Sequence, residues 1–192
     1  MIADNAIRSA PEHVYGGMLS VLLRLVFILY AEERGMLPVA EIYQRNYSVI
    51  GLFERLREDD VRFHDTMDHR FSAWPQLLTL FRLIFDGGAH GKLMLPARHG
   101  RLFDPDAYPF LEGRPFGTRR VTGERIVPPK LADGVVYRVL AKLLILDGER
   151  LSYSALDVEQ IGSVYEAMMG FELIVASGPS IGLRPDHIVV NL

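Results

Sequence analysis

The chain has 192 residues, of which 49% are hydrophobic and 23% charged, a composition that suits one folded domain and excludes a disordered chain. It contains no cysteine, which excludes disulfides, zinc–thiolate sites and a cysteine nucleophile. The start of the sequence has no basic segment followed by an apolar run, so it predicts no signal peptide, and we expect a cytoplasmic location.

The net charge of -3 hides an uneven distribution along the chain. Segment 87–130 has eight basic and four acidic residues, a net charge of +4, which leaves -7 for the remainder. A basic segment in an acidic protein can face a polyanion, but it can equally be a solvated loop. Both interpretations stay open at this point.

The first element is a long apolar run from Met18 to Ala31. Gly35 and Pro38 follow it, which is the pattern of a helix that stops. The run is barely long enough to cross a membrane, and Arg24 lies near its centre. The sequence therefore predicts a buried central helix and no membrane association.

Three amphipathic helices follow, each predicted from an N-cap residue and apolar residues at helical spacing. Ser48 begins the first, Ser72 the second and Asp133 the third. The polar stretch at 61–70 connects the first two, and an Asp-Gly pair at 147–148 breaks the third. The residues predicted to face the core of the second helix are Leu77, Leu80, Phe81 and Ile84.

Segment 87–130, which we call the basic loop, is rich in Gly, Pro, Arg and aromatic residues and has little periodicity. Long irregular segments inside compact domains are uncommon and often functional. Its aromatic content predicts that the loop packs onto the protein, and short strands could lie within it.

The stretch LDVEQIGSVYEAMMGF begins with Asp157 and Gln160 at the spacing of a capping box, and helical apolar spacing follows. Gly162 inside a helix costs about 1 kcal/mol relative to alanine, and close approach of a neighbouring backbone would offset this. We interpret the segment either as a docking helix whose defining residues are Asp157, Gln160, Gly162 and Tyr165 or as an ordinary core helix of a self-contained bundle.

Residues 171–192 predict a β-hairpin, because ELIVA and HIVVN are β-branched runs and SGPS between them has turn composition. The sequence ends directly after the second run, so we expect a fragment of a larger protein whose hairpin leads toward a missing domain. The predicted fold class is mainly α: a single bundle of five or six helices with a long packed loop and a small C-terminal hairpin.

The sequence offers little catalytic chemistry. GxGxxG and GxxxxGK[ST] are absent, the one Pro-Pro pair reads Val-Pro-Pro-Lys, and no nucleophile elbow is present. Asp106, Glu112 and Arg114 faintly resemble the acidic pair and basic residue of metal-dependent nucleases, but they lie in one loop. We therefore assign no catalytic residue, no metal site and no cofactor to this chain. A stand-alone metal-dependent hydrolase would instead have to use His64, Asp65 and Asp68.

Four stretches occur in order: LLRLVFILYAEERGMLP, WPQLLTLFRLIF, LFDPDAYPFLEG and LDVEQIGSVYEAMMGFEL. Together they resemble the helical region just before the catalytic core of fused adenine-specific DNA methyltransferases, the Type IIG-like restriction–modification enzymes and the related BREX phage-exclusion methylases. The resemblance covers Leu19 to Leu192. It implies that the full-length protein binds duplex DNA and S-adenosylmethionine, methylates adenine N6 and serves restriction or phage defence, in some relatives with endonuclease activity.

By this resemblance the chain is a non-catalytic helical connector that packs on the methyltransferase core of the same polypeptide and contributes to DNA binding. The candidate phosphate contacts are Arg98, Arg101, Arg114, Arg119, Arg120, Arg125 and Lys130. The alternative is a protein-interaction module that docks an acidic partner through the basic loop.

Overall fold

The computed structural model describes residues 10–121, 123, 125–157, 159–160, 162–163 and 166, and the backbone of two strands at 180–183 and 188–191. The protein is mainly helical with a small antiparallel sheet near the C-terminus, as the sequence predicted. The described helices of full extent are α1 (Pro11–Glu33), α2 (Glu41–Asn46), α3 (Val49–Phe63), α4 (Ala73–Asp86) and α5 (Asp133–Leu144). Short 3-10 turns lie at His64–His69, Arg101–Phe103 and Pro109–Glu112.

Strands occur only as antiparallel pairs in the part of the chain that the structure describes. They are β1 (Gly88–His90) with β2 (Leu93–Leu95), β3 (Ile145–Leu146) with β4 (Glu149–Arg150), and β5 (Ser180–Leu183) with β6 (Ile188–Asn191). The first pair lies at the start of the basic loop, where the sequence had allowed strands without placing them.

Helix α1 is the centre of the core. Leu25, Ile28 and Leu29 on it are at most 1% exposed. By length and composition α1 could cross a membrane, but this is weak support because core helices pass the same test, and 56% of its most apolar window is buried inside the protein. The predicted inner face of α4 is also found, since Leu77, Leu80, Phe81 and Ile84 are all buried.

Two neighbouring glutamates at the end of α1 accept bonds from the backbone of distant segments, the start of α3 and the turn at 152–154. Ser48 caps α3 as predicted, since its Oγ accepts a 3.0 Å hydrogen bond from Gly51 N–H. Glu32 at the end of α1 adds to this cap, because its carboxylate accepts bonds from Val49 N–H (2.8 Å) and Ile50 N–H (3.2 Å). The adjacent Glu33 accepts bonds from the backbone of the turn at 152–154.

Ser72 lies at the N-cap position of α4 as predicted, whereas the predicted cap of α5 was wrong. Ser72 makes no side-chain cap bond, and the α4 start is bound instead by Asp133, whose carboxylate accepts from Ser72 N–H, Ser72 Oγ and Ala73 N–H at 2.8 Å each. Asp133 is the first residue of α5, and the N-cap residue of α5 is Ala132. A carboxylate within reach of two free N–H groups across the core satisfies more donors than it would on its own helix.

Two boundaries also differ from the sequence prediction. Helix α5 ends at Leu144, and the Asp-Gly pair at 147–148 forms the tight turn between β3 and β4, with φ of 52° and 85° as such hairpin turns require. In the C-terminal hairpin Ser180, the last residue of SGPS, is the first residue of β5 and pairs with Asn191, so the strand begins within the predicted turn. The ELIVA stretch lies outside the described residues.

Candidate nucleic-acid interface

The basic loop runs back along α4, from its C-terminal end to its start. Near the C-terminal end, Arg98 N–H donates to the carbonyl oxygens of Ile84 and Phe85, at 3.2 Å each. Near the start, Trp74 Nε1–H donates to the carbonyl oxygen of Leu111 at 3.1 Å. A helix of 14 residues spans about 21 Å, so the loop lies along roughly that length of protein.

The side chain of Arg24 on α1 binds the backbone in the middle of this loop. Its Nε and Nη2 donate to the carbonyl oxygens of Leu102 (2.7 Å) and Asp104 (3.2 Å), and its guanidinium lies 5.2 Å from the centroid of the Phe81 ring. Burial lowers the pKa of Arg24 to about 10, while Glu112 and Asp104 oppose that shift, so the group stays charged at neutral pH. The arginine that argues against a membrane span thus positions the loop.

The nuclease-like residues of the loop do come together, but as a closed ion network. Glu112 is 3% exposed and accepts two bonds from Arg82, at 2.6 and 2.8 Å. Arg114 bridges Glu112 (3.1 Å) and Asp106 (2.8 Å) and also donates to two backbone carbonyls. Each carboxylate therefore already has an arginine partner, and Arg114 lies buried where it cannot contact a phosphate.

Arg120 is also occupied within the protein. Its guanidinium binds both carboxylate oxygens of Asp86 at the end of α4 and lies 5.4 Å from the centroid of the Phe85 ring. Hydrogen bonding to Arg120 lowers the pKa of the Asp86 carboxyl, and the nearby positive charges act in the same direction. Arg114 and Arg120 are thus weaker phosphate candidates than the sequence suggested.

The five other candidates are exposed and, within the described ranges, form no ion pair: Arg98, Arg101, Arg119, Arg125 and Lys130. The structure brings Arg98 and Arg101 together on the edge of one cavity. Lys130 lies 5.8 Å from the ring centroid of Phe71, close to the start of α4. Arg98 and Lys130 thus lie near opposite ends of α4.

Three of the four acids of the loop accept bonds within the protein. Glu112 and Asp106 belong to the ion network, and Asp104 Oδ1 accepts a 2.9 Å bond from the backbone N–H of Asp106. Glu124 lies outside the described residues. Arg114, Arg120, Asp106 and Glu112 are thus ion-paired within the protein, and the six cations and two acids that remain give the rest of the loop a net charge of +4.

The proposed docking helix is described only in part. The capping box is formed, since Asp157 N–H donates to Gln160 Oε1 (2.9 Å) and Gln160 N–H donates to Asp157 Oδ1 (2.7 Å). At Gly162 the expected backbone approach is not found, because no atom of the described chain lies within 4 Å of the position of an added Cβ. Tyr165 lies outside the described residues.

The histidine-containing stretch at 64–69 is an exposed 3-10 turn. His64 Nδ1 lies 2.8 Å from Asp60 Oδ1 in the preceding helical turn, and Asp68 lies 3.5 Å from Arg138. Among the described residues, no group of three or more potential metal ligands converges. The arrangement is that of a polar connector.

The roles of Glu32, Glu33, Arg82 and Asp86 were not predicted from the sequence, and Asp133 was assigned to the wrong helix start; each of these five residues binds a distant segment. One signal was available, because two glutamates at the C-terminal end of a helix interact unfavourably with the helix dipole. This indicates that other contacts stabilise them there.

Comparison of the chain with protein-family models, curated proteins and solved structures found no match.

Proposed function

We propose that this chain is a non-catalytic helical module of a DNA N6-adenine methyltransferase of a restriction–modification or phage-defence system. The four ordered stretches that resemble that class support the assignment. In this proposal the module packs on the methyltransferase core and contributes electrostatic contacts to duplex DNA through the basic loop.

One observation carries the DNA-binding part of the proposal. The described carboxylates of the loop bind arginines or backbone N–H groups, whereas five of its cations are exposed without a carboxylate partner. Exposed arginine and lysine without acidic neighbours are the groups that neutralise phosphates and release counterions. They would fix the position of the module on DNA and would not read its sequence.

S-adenosylmethionine would supply the methyl group in the full-length enzyme. This chain has no glycine-rich cofactor motif and no Asn-Pro-Pro-aromatic motif, so none of its residues is assigned to that ligand or to methyl transfer. The contribution that we propose for the chain is positioning, through phosphate contacts and through the docking helix, which would pack on the methyltransferase core.

The DNA-binding proposal is tested with two variants of equal charge. In the loop variant Arg98, Arg101, Arg119, Arg125 and Lys130 are replaced by glutamine. In the control variant the same replacement is made at four arginines and one lysine that are exposed elsewhere: Arg45, Arg57, Arg62, Arg138 and Lys142. Fluorescence anisotropy with a labelled duplex at low salt should show a large loss of affinity for the loop variant and a small loss for the control. Equal losses would refute the proposal.

The second candidate is docking of an acidic protein partner, which the same exposed cations would favour. It differs from DNA binding in two observables. Wild-type protein would then bind no duplex even at low salt, and it would capture an acidic subunit through the loop. Both outcomes together would replace the DNA proposal with this one.

The methyltransferase class is tested separately by reading the gene beyond codon 192. The proposal expects an open frame that encodes a glycine-rich cofactor motif and an Asn-Pro-Pro-aromatic motif. A stop codon at that place would refute the fusion to a methyltransferase core, and the binding experiments would then decide between DNA and a protein partner.

A further inference from the structure

An apolar cleft lies between α1, the end of α4, β2 and the 3-10 turn at 101–103. Its volume is about 670 Å³. The floor consists of core residues that are at most 7% exposed, namely Ala31, Ile84, Leu95 and Phe103. The floor of the cleft is therefore part of the packed core and does not depend on a surface loop alone.

The walls of the cleft are exposed apolar side chains. Phe27 of α1 is 38% exposed, Met36 just after α1 is 59% exposed and Met94 of β2 is 79% exposed. Exposed apolar walls around a buried apolar floor mark a binding groove more than a solvated surface. Methionine is a flexible side chain that adapts to a partner, and it is used often at protein-binding grooves.

The polar side chains of the cleft are two arginines of the basic loop, Arg98 and Arg101. Both are exposed, and neither forms an ion pair with a residue that the structure describes. The nearest acids in sequence on the α1 side face elsewhere, because Glu32 binds the α3 start and Glu33 binds the turn at 152–154. The cleft thus combines an apolar interior with a rim of positive charge.

We infer that this cleft binds an acidic amphipathic helix of a partner protein. Its apolar residues would fill the space between Phe27, Met36 and Met94, and its carboxylates would pair with Arg98 and Arg101. A volume of about 670 Å³ lies in the range of binding pockets, and the exposed walls favour a helix laid across the opening over an enclosed small molecule. This site goes beyond the proposed DNA contact, although the two arginines belong to both.

The test uses a synthetic helical peptide of about four turns with leucine at i, i+3, i+4 and i+7 and glutamate on both flanks. A second peptide of the same pattern carries lysine in place of glutamate. Fluorescence anisotropy should show binding of the glutamate peptide and no binding of the lysine peptide. Equal binding of both peptides, or binding of neither, would overturn the inference.

Charge-neutral variants separate this site from the DNA contact. The double variant Met36→Gln, Met94→Gln removes two exposed walls, and Met18→Gln is the matched control, since Met18 is also 59% exposed but does not line the cleft. The double variant should bind the glutamate peptide about tenfold more weakly, a loss of about 1.4 kcal/mol, with DNA affinity unchanged. The control should change neither affinity.

Two results would contradict the inference while leaving the DNA proposal intact. One is equal weakening of peptide binding by the double variant and the Met18 control, which would place the peptide elsewhere. The other is self-association in sedimentation that the double variant abolishes, which would make a second copy of this chain the occupant. Loss of DNA binding by the loop variant does not depend on either result.

Discussion

Replacement of Glu32 by alanine should destabilise the protein more than any other single surface carboxylate change in the first three helices. Its side chain accepts bonds from Val49 N–H, Ile50 N–H, Ser48 Oγ and the Tyr43 hydroxyl. Loss of a helix cap costs about 1 kcal/mol. A fully buried tyrosine hydroxyl without its acceptor adds about 1–3 kcal/mol, so we expect a total loss of about 2–4 kcal/mol.

The assay is urea denaturation, followed by the fluorescence of Trp74, the single tryptophan, which lies 5% exposed in the core. Glu32→Gln should lose roughly half as much, because one oxygen acceptor remains. Glu58→Ala is the control, since Glu58 is exposed on α3 without an ion pair among the described residues, and it should change stability by less than about 0.5 kcal/mol. Equal stabilities of Glu32→Ala and Glu58→Ala would refute the reasoning.

Three further predictions use the same denaturation assay. Asp133→Ala should cost about 2–4 kcal/mol, because the start of α4 then loses its carboxylate acceptor, and a loss below about 0.5 kcal/mol would contradict the capping role. Gly113→Ala should cost at least about 2 kcal/mol, because its φ is 78° and an added Cβ would lie 2.2 Å from the Val127 carbonyl oxygen; unchanged stability would contradict this backbone geometry. The pKa of Asp86 is lowered by Arg120, so the pair stabilises the protein fully above the ordinary aspartate pKa and loses this contribution as pH falls through the lowered folded value. Asp86→Asn should therefore reduce stability at neutral pH by at most about 1 kcal/mol, since the pair is a third exposed, and should approach wild-type stability in acid; the same difference at every pH would contradict it.

The helices were predictable because their information is local. Apolar spacing alone identified the inner face of α4, and Ser48 and the Asp157–Gln160 pair were identified from the short-range chemistry of helix starts. Such signals depend on residues three or four positions apart. They therefore survive without knowledge of the tertiary structure.

The long-range contacts were not predictable from the same patterns. The bond from Arg24 to Leu102 joins residues 78 positions apart, and the cap from Asp133 to Ala73 joins residues 60 apart. Sequence alone counts a positive charge in the basic loop without telling whether the side chain is buried, as Arg114 is, or exposed, as Arg98 is. Both arginines were therefore predicted as phosphate contacts, although Arg114 belongs to a structural ion network and only Arg98 is exposed.

We propose that the basic loop contacts DNA through cations that have no carboxylate partner among the described residues. The most direct measurement is the slope of log K against log salt concentration for duplex binding by the wild type, the loop variant and the matched control. We expect the magnitude of the slope to fall by about 0.9 for each phosphate contact that the loop variant loses, and we expect the control to keep the wild-type slope. Equal slopes for the three proteins would contradict it.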